Sequence, residues 1–415
     1  MIPVAIWAIA ALTIAAILIR PRGWPEAAWA CIGAAALVVF RLVSAGKAFL
    51  AVRKGTDVYF FLAGMMLVAE MARREGLFDW LASHAVLAAK GSRARLFSLI
   101  YLVGAAVTAL LSNDATAVVL TPAVYAAVKK TRGAAIPYLF ICAFIANAAS
   151  FVLPISNPAN LVIFGRNMPP LANWLHFFAL PSSLAITATY LGLRLAFRRE
   201  LSGNLESSIE CPALPFSGRI VAVGILVTAA VLLAASALNL DLGVPTFVAA
   251  VIVLGVILFS DRHAFSPIVK QISWGVLPLV AGLFVIVGGL DETGAVRHMR
   301  SALERLESWA PLAGGLTASF GAAVASNIAN NLPVALLTGN TLQARQVIPA
   351  IRNALVIGVD LGSNFSISGS LATILWLIAL RREGENVSAW QFLKLGLLIT
   401  PPALFLATCA LLVGR

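Results

Sequence analysis

The chain has 415 residues; 60% are hydrophobic, 12% are charged and the mean hydropathy is +0.92, against about 45–50% apolar and about 25% charged in a soluble domain. That is the composition of a polytopic membrane protein, and it excludes a large soluble catalytic or nucleic-acid-binding domain. The net charge of +12 and pI of 10.1 come from Lys and Arg in short loops between apolar runs, where basic residues set topology instead of gripping nucleic acid.

A membrane helix needs about 20 mostly apolar residues. The first such run, Pro3–Ile19, has no basic residue before it and Arg20 and Arg22 after it. It therefore reads as a first membrane helix and not as a signal peptide. Trp24–Phe40 and Asp57–Met71 follow. Leu77–Ala89 is short and amphipathic and is expected along the membrane interface. Leu96–Val128 carries apolar arms around Ser112-Asn113-Asp114. Two full spans do not fit there, so a re-entrant hairpin is expected, its tip buried in protein or facing a cavity. Ile136–Phe164 is punctuated by Pro154 and Pro158 and reads as a broken helix. Trp174–Phe197 closes the first half.

Arg198–Ser217 is hydrophilic and reads as a linker. Ile220–Ala237, Val244–Ser260 and Trp274–Leu290 are spans, and Ala295–Trp309 is a second interfacial piece. Ala310–Leu337 is a second hairpin around Ser326-Asn327. Val347–Leu380, interrupted near Gly362 and Gly369, is a second broken helix, and Phe392–Val413 is the last span. The total is about ten spans and two hairpins. With the N-terminus outside, 19 of the 30 Lys and Arg fall in inside loops and 11 outside. The positive-inside rule then favours both termini outside, in a multi-pass protein of the cell (inner) membrane.

The order repeats. Ala63-Gly64 returns as Ala281-Gly282, Gly76 as Gly294, Ser112-Asn113 as Ser326-Asn327, and Ser156-Asn157 as Ser363-Asn364. Residues 1–197, with hairpin 96–128, form one repeat. Residues 198–217 link it to a second, 218–415, with hairpin 310–337. Five spans per copy is an odd number, so the second copy enters the membrane from the opposite side. Inverted repeats with paired broken helices place a secondary transporter's site near the midplane. The fold class is therefore all-α, polytopic, with two inverted repeats.

Two acids lie away from loops and span ends: Asp114 in the first hairpin and Asp360 in the second broken helix. A charged side chain at the bilayer centre costs about 2.5–3.5 kcal/mol on insertion scales and persists where it has work to do. Both are candidates for proton coupling. Glu70, three residues from Arg73, reads as an interfacial ion pair. Around the acids lie Asn113, Thr116, Ser150, Ser156, Asn157, Asn160, Asn327, Asn330, Asn331, Ser363, Asn364 and Ser366, the candidate solute-binding set, with Asn147 and Ser368 beside it. Amides and hydroxyls also serve as interhelical glue, but glue does not explain their concentration at four matched breaks. No Arg or Lys lies in these motifs, which favours a neutral or weakly charged, hydroxyl-bearing solute. No GxxxxGK[ST] loop occurs, so the chain itself does not hydrolyse ATP. The four His make no helical metal pair, and Cys31, Cys142, Cys211 and Cys409 are scattered. A carrier without cofactor or metal is expected, not an enzyme.

At these motifs the chain resembles the arsenite permease family, the membrane component of arsenical pumps, within the ion transporter superfamily. The resemblance rests on Asn113-Asp114 with Leu120-Thr121-Pro122, on Phe144–Ser150, on Ser156-Asn157, on Asn330-Asn331-Leu332-Pro333, on Val356–Gly362 and on Gly369–Trp376. It covers nearly the whole chain from Pro21. It implies export of arsenite and antimonite as neutral trihydroxides in exchange for protons, and an elevator-type division into scaffold and moving unit. The alternatives within the pattern are a sodium/proton antiporter or sodium-coupled anion carrier, a silicic acid exporter, and a membrane subunit served by a separate ATPase. An oligomer is compatible with the resemblance.

Overall fold

The computed structural model describes residues 2–131, 133–205, 212–344 and 346–413. Residues 206–211 of the expected linker, with Cys211, lie outside the described residues, as do Arg132, Arg345 and Arg415 of the charge count. Among the described residues all regular structure is helical, apart from an isolated bridge between Ser92 and Asn204.

The first half runs α1 (Ile2–Ile19), α2 (Glu26–Val39), α3 (Ala45–Lys54), α4 (Thr56–Arg74), α5 (Leu77–Ala89), α6 (Arg93–Leu110), α7 (Asn113–Ala115), α8 (Thr121–Lys129), α9 (Ile136–Ala148), α10 (Pro158–Phe164) and α11 (Leu171–Ala196). The second runs α12 (Phe216–Ala237), α13 (Gly243–Ser260), α14 (Phe265–Gln271), α15 (Val276–Glu292), α16 (Ala295–Glu307), α17 (Pro311–Ala329), α18 (Asn331–Ala344), α19 (Pro349–Asp360), α20 (Leu371–Arg382) and α21 (Ala389–Val413). The order of lengths and breaks is the same in both halves. The packing is crossed between them: α4 lies on α13 and α2 on α15, α10 lies on α18 and α20 on the turn before α8, and α11 lies on α21. Exchanging the halves maps each contact onto its counterpart.

Six helices are long and apolar enough to cross a membrane among the described residues, or seven if α3 and α4, bent by 49°, count together. Two of these six, α6 and α17, are the first arms of the expected hairpins, so the six and the ten expected spans do not count the same helices. A hydropathy run does not see a helix end. α2 and α9 have 14 and 13 residues, about 20 Å each, and the central traverses are assembled from half-helices. α11 has 26 residues, but its His, Ser and Thr side chains keep its hydropathy low. α5 also departs from expectation. Leu77, Phe78, Ala82, Ser83, Ala85, Val86 and Ala89 are buried, so it packs into the body against α6 and α8. α16 buries only Ala295, Val296 and Leu303 and keeps a charged outer face.

The core is built around α9. Every residue from Pro137 to Ala148 is buried, as is every residue of α10. A helix apolar all round belongs in the middle of a bundle. Phe140 and Phe144 of α9 stack with Trp376 of α20 and Phe392 of α21, and Trp376 Nε1 donates to Leu139 O at 2.8 Å. In the first break Trp174 Nε1 donates likewise to Phe151 O at 3.1 Å. The periphery is the opposite: Leu12, Val39, Phe216, Leu238 and Phe259 are exposed, which is the outward face a lipid-bathed helix needs. At one end of α4, Arg74 pairs with Glu75 and Asp261. Its guanidinium holds the exposed Asp261 carboxyl below the usual carboxylate range.

Candidate functional site

The first hairpin turns at Leu111 and Ser112. Ser112 is extended and caps α7, its Oγ accepting from Ala115 N at 3.2 Å. Asn113 Oδ1 accepts from Asp114 N at 2.9 Å. Thr116 ties the arms together, sharing a 2.7 Å hydrogen bond with Thr108 Oγ1 of α6. A widened π turn spans Thr116–Leu120, a form frequent at functional sites. The buried Asn113 and Thr116 thus shape the tip. Asp114 does not. Its carboxylate has no hydrogen bond among the described residues, and it lines a cavity of about 70 Å3 shared with Glu70, Ser112, Gln271 and Ser273.

The second hairpin differs from expectation. α17 continues through Ser326 and Asn327, because Asn327 Nδ2 bonds back to Ala323 O at 2.8 Å, and the chain turns at Asn330. Asn330 has φ 72° and ψ 150°, a region that glycine alone occupies freely. Its side chain holds the strain: Nδ2 donates to Ser368 O at 3.1 Å, and Oδ1 accepts from Leu332 N at 3.3 Å. The tip is therefore Asn330-Asn331, with Pro333 just inside α18. Asn330 stands just before α18 as Ser112 stands just before α7, and Asn331 opens α18 as Asn113 opens α7. The Ser326-Asn327 match is one of sequence, not of position. Asn331 is buried. Asn330→Val should cost about 1–3 kcal/mol of stability, the usual penalty of such a backbone. Asn330→Gly should cost less, and thermal melts of the two purified variants check the order.

Asn327 instead organises the second break. Its Nδ2 also donates to Gly362 O at 2.7 Å, and its Oδ1 accepts from Ser366 N and Ser366 Oγ at 2.8 and 2.7 Å. Ser368 Oγ bonds Asn327 O at 3.1 Å and shares a 2.9 Å bond with Ser366. Ser363 Oγ closes on Val359 O at 2.6 Å. In the first break Ser156 Oγ reaches Ala109 O at 3.0 Å, pinning the break to the hairpin.

The two breaks meet at the centre of the molecule. Asn157 Oδ1 caps α10 through Ala159 N at 3.0 Å, and its Nδ2 donates to Asp360 Oδ1 at 2.7 Å. Asn147 Nδ2 donates to Asn364 Oδ1 at 2.9 Å, and Asn364 Nδ2 donates to Phe144 O at 2.9 Å. Ser150 Oγ donates to Asn147 O at 2.8 Å, and Ser150 O accepts from Asn160 Nδ2 at 3.0 Å. All six side chains are fully or almost fully buried. The centre is poor in donors: Asn147 Oδ1, Asn160 Oδ1 and Asp360 Oδ2 have no hydrogen-bond partner among the described residues. Buried oxygens left unpaired cost free energy, and any group that brings a hydrogen-bond donor into the crossing would relieve them.

The two acids therefore occupy different surroundings: Asp114 faces a cavity beside α4, and Asp360 is sealed in the crossing. A larger cavity, about 810 Å3, opens at the other end of α4 between Arg53, Lys54, Asp57 and Asp241 on one side and Asn340 and Gln343 on the other. Sequence reasoning did not connect Glu70 with Asp114. Glu70 does pair with Arg73, at 2.8 and 2.5 Å, but it is buried and shares the Asp114 cavity. An acid inside the end of the apolar run Asp57–Met71 was the available signal.

The comparisons with known proteins came to the same class of molecule. A family model described as citrate transporter matches residues 6–359. The arsenical pump membrane protein of Escherichia coli K12 is 29% identical over 97% of both chains. The protein of the same description from Yersinia enterocolitica is 30% identical over 84% of both. The crystal structure of the Alcanivorax borkumensis YdaH transporter, described as having an unusual topology, aligns with a TM-score of 0.56 at 14% identity, covering 86% of this chain and 85% of that one. At that identity the likeness concerns the fold alone.

Proposed function

The chain belongs to the citrate transporter (CitMHS) family, in company with the arsenical pump membrane proteins, and from that premise we propose that it is a secondary active exporter of arsenite and antimonite as neutral trihydroxides, driven by inward exchange of protons. The observation that carries this reading is the chemistry of the crossing. The side chains bonded there are Asn147, Ser150, Asn157, Asn160, Asn364 and one acid, Asp360; no cationic side chain takes part. A trihydroxide offers three donors and several acceptors, and amides and hydroxyls meet both. The unpaired oxygens of Asn147, Asn160 and Asp360 call for donors, which a trihydroxide or a proton supplies. No thiolate stands there to hold trivalent arsenic too tightly for release.

Asp114 and Asp360 are the proton carriers in this reading, and the buried amides line the solute path. The repeats are inverted, and the unit holding the hairpins and breaks moves as an elevator against α2, α4, α13 and α15. One proton entering per neutral solute leaving moves one net charge. At 100 mV that supplies about 2.3 kcal/mol, enough for a roughly 50-fold gradient. No catalytic step, metal or cofactor enters the cycle, and the host is the cell's inner membrane.

The description of the family model, citrate transporter, favours an organic anion as the solute of a second reading, and a sodium-coupled anion carrier is the form of it to be tested. Arsenite uptake into inside-out vesicles separates the two. With an imposed pH gradient and neither ATP nor sodium, uptake that a protonophore abolishes is expected. Uptake that needs sodium would favour the second reading or a sodium/proton antiporter. Uptake that needs ATP and a soluble fraction would point to a separate ATPase subunit. Transport of silicic acid in place of arsenite would keep the mechanism and change the solute.

A further inference from the structure

The two cavities meet the same pair of helices from opposite ends. The larger, about 810 Å3, is lined by Asp57 and Val58 of α4 and by Leu161 of α10. The smaller, about 70 Å3, is lined by Leu62 and Glu70 of α4, by Pro158 of α10 and by Asp114. α10 packs on α4. Val58 and Leu62 are one turn apart on α4, a rise of about 6 Å, and Pro158 and Leu161 one turn apart on α10, about 4.5 Å. A single helical turn therefore separates the cavities. All four of these side chains are apolar and buried. Both cavities they divide are polar. The larger carries Arg53, Lys54, Asp57 and Asp241; the smaller carries Glu70, Ser112, Asp114, Gln271 and Ser273. One water needs about 10–15 Å3 of such volume, so the smaller has room for several. Glu70 and Gln271 on its wall are joined by Arg73, whose side chain reaches solvent.

We propose that protons reach Asp114 along this face of α4, and that Leu62 and Leu161 are the seal that keeps the two cavities apart between turnovers. This rests on the reading of Asp114 as a proton carrier. A proton comes from water in the larger cavity and passes, through water admitted at the seal, to a carboxylate oxygen of Asp114. It leaves to water in the smaller cavity, on the side of Glu70 and Arg73. Only O–H bonds are made and broken, and nothing is oxidised or reduced. An apolar constriction gates by excluding water, and without a chain of waters the proton stays on its own side. A path that stayed wet at rest would discharge the gradient the carrier uses, so a dry seal is what coupling demands. The seal lies where α4 of the scaffold faces α10 of the moving unit, so a shift of one against the other opens it. Asn157 caps α10 and bonds Asp360, which ties this helix to events at the crossing.

The test needs no solute. Full-length protein in proteoliposomes is given a pH gradient, the potential is clamped with potassium and valinomycin, and the decay of the gradient is read from trapped pyranine. The parent is expected to hold the gradient. L62M is expected to hold it too, because exchange of Leu for Met nearly conserves volume. L62S and L161S shorten the side chain and add a hydroxyl that holds water, and each is expected to lose the gradient while trapped calcein stays inside. A gradient held by folded L62S, L161S and the double variant would overturn the proposal. So would calcein escaping with the protons, which marks damage to the fold and not an opened path. D114N/L62S is expected to hold the gradient again; a leak that persists there would overturn the delivery of protons to Asp114. The two leucines lie on different helices, so a variant that misfolds at one site leaves the other to carry the test. Failure of the parent to carry arsenite would count against the proposed function and leave the leak measurements as they are.

Discussion

On the proposed function, Asp114→Asn is expected to stop proton-driven arsenite uptake, down to the level of empty vesicles, while the purified variant melts no lower than the parent. The expectation follows from what the carboxylate touches. It makes no hydrogen bond among the described residues, and it faces the cavity that it shares with Glu70 and Gln271. Asparagine has the same shape, and the side-chain bond that defines this tip, Asn113 Oδ1 to Asp114 N, is to the main chain of residue 114. No bond of the carboxylate is removed, and neutralising a charge held inside the membrane relieves the cost of keeping it there, so the variant should be no less stable than the parent. What is removed is the one ionisable group of the hairpin tip. A carrier that must return with a proton in exchange for solute then has nothing to protonate there. Arsenite-for-arsenite exchange without a gradient separates the roles: exchange that survives marks Asp114 as a coupling residue, and exchange that also fails marks it as part of the solute path. Coupled uptake at the parent's rate in D114N would end the assignment.

Gly358→Ala is expected to have one of the larger structural effects of adding one methyl group. Gly358 lies where α19 crosses α17. A Cβ there would fall on the carbonyl oxygen of Ser319, with Ala322 Cβ at 2.9 Å. One turn later Gly362 meets Ala323 in the same way. Small residues four apart let helix backbones approach this closely. Overpacking usually costs about 1–3 kcal/mol, and here backbone blocks the new atom, so the upper end or beyond applies. The displacement would push α19, with Asp360 at its end, away from the hairpin. A fall in melting temperature together with lost transport is expected. An equivalent substitution at Gly255, whose Cβ would meet nothing within 4 Å, is the control and should be silent. A G358A protein that melts and transports like the parent would mean that the two helices are not held at this distance.

Much of this molecule was legible before any coordinates. Composition alone placed it in the membrane, and the matched Gly, Ser and Asn signatures raised the expectation of two repeats, because a duplicated fold keeps its breaks where the backbone demands them. Proline and glycine located both broken helices, since their restrictions on φ and on the N–H donor are local. The two acids and the amides around them stood out because polar side chains are expensive in an apolar run. Three things needed the tertiary structure. Hydropathy runs continue through helix ends, so where each helix stops, as in the 13-residue α9 and the 7-residue α10 of the first broken run, was set by the structure. The tip of the second hairpin moved from Ser326-Asn327 to Asn330-Asn331, because Asn327 bonds back into its own helix, a choice the residue type does not reveal. And the acids parted, Asp114 to a cavity beside α4 and Asp360 to a sealed bond with Asn157, 203 positions away in sequence. Which residues are polar, and where the chain must break, is written locally. Which of them share a hydrogen bond depends on how two distant breaks cross, and only packing decides that.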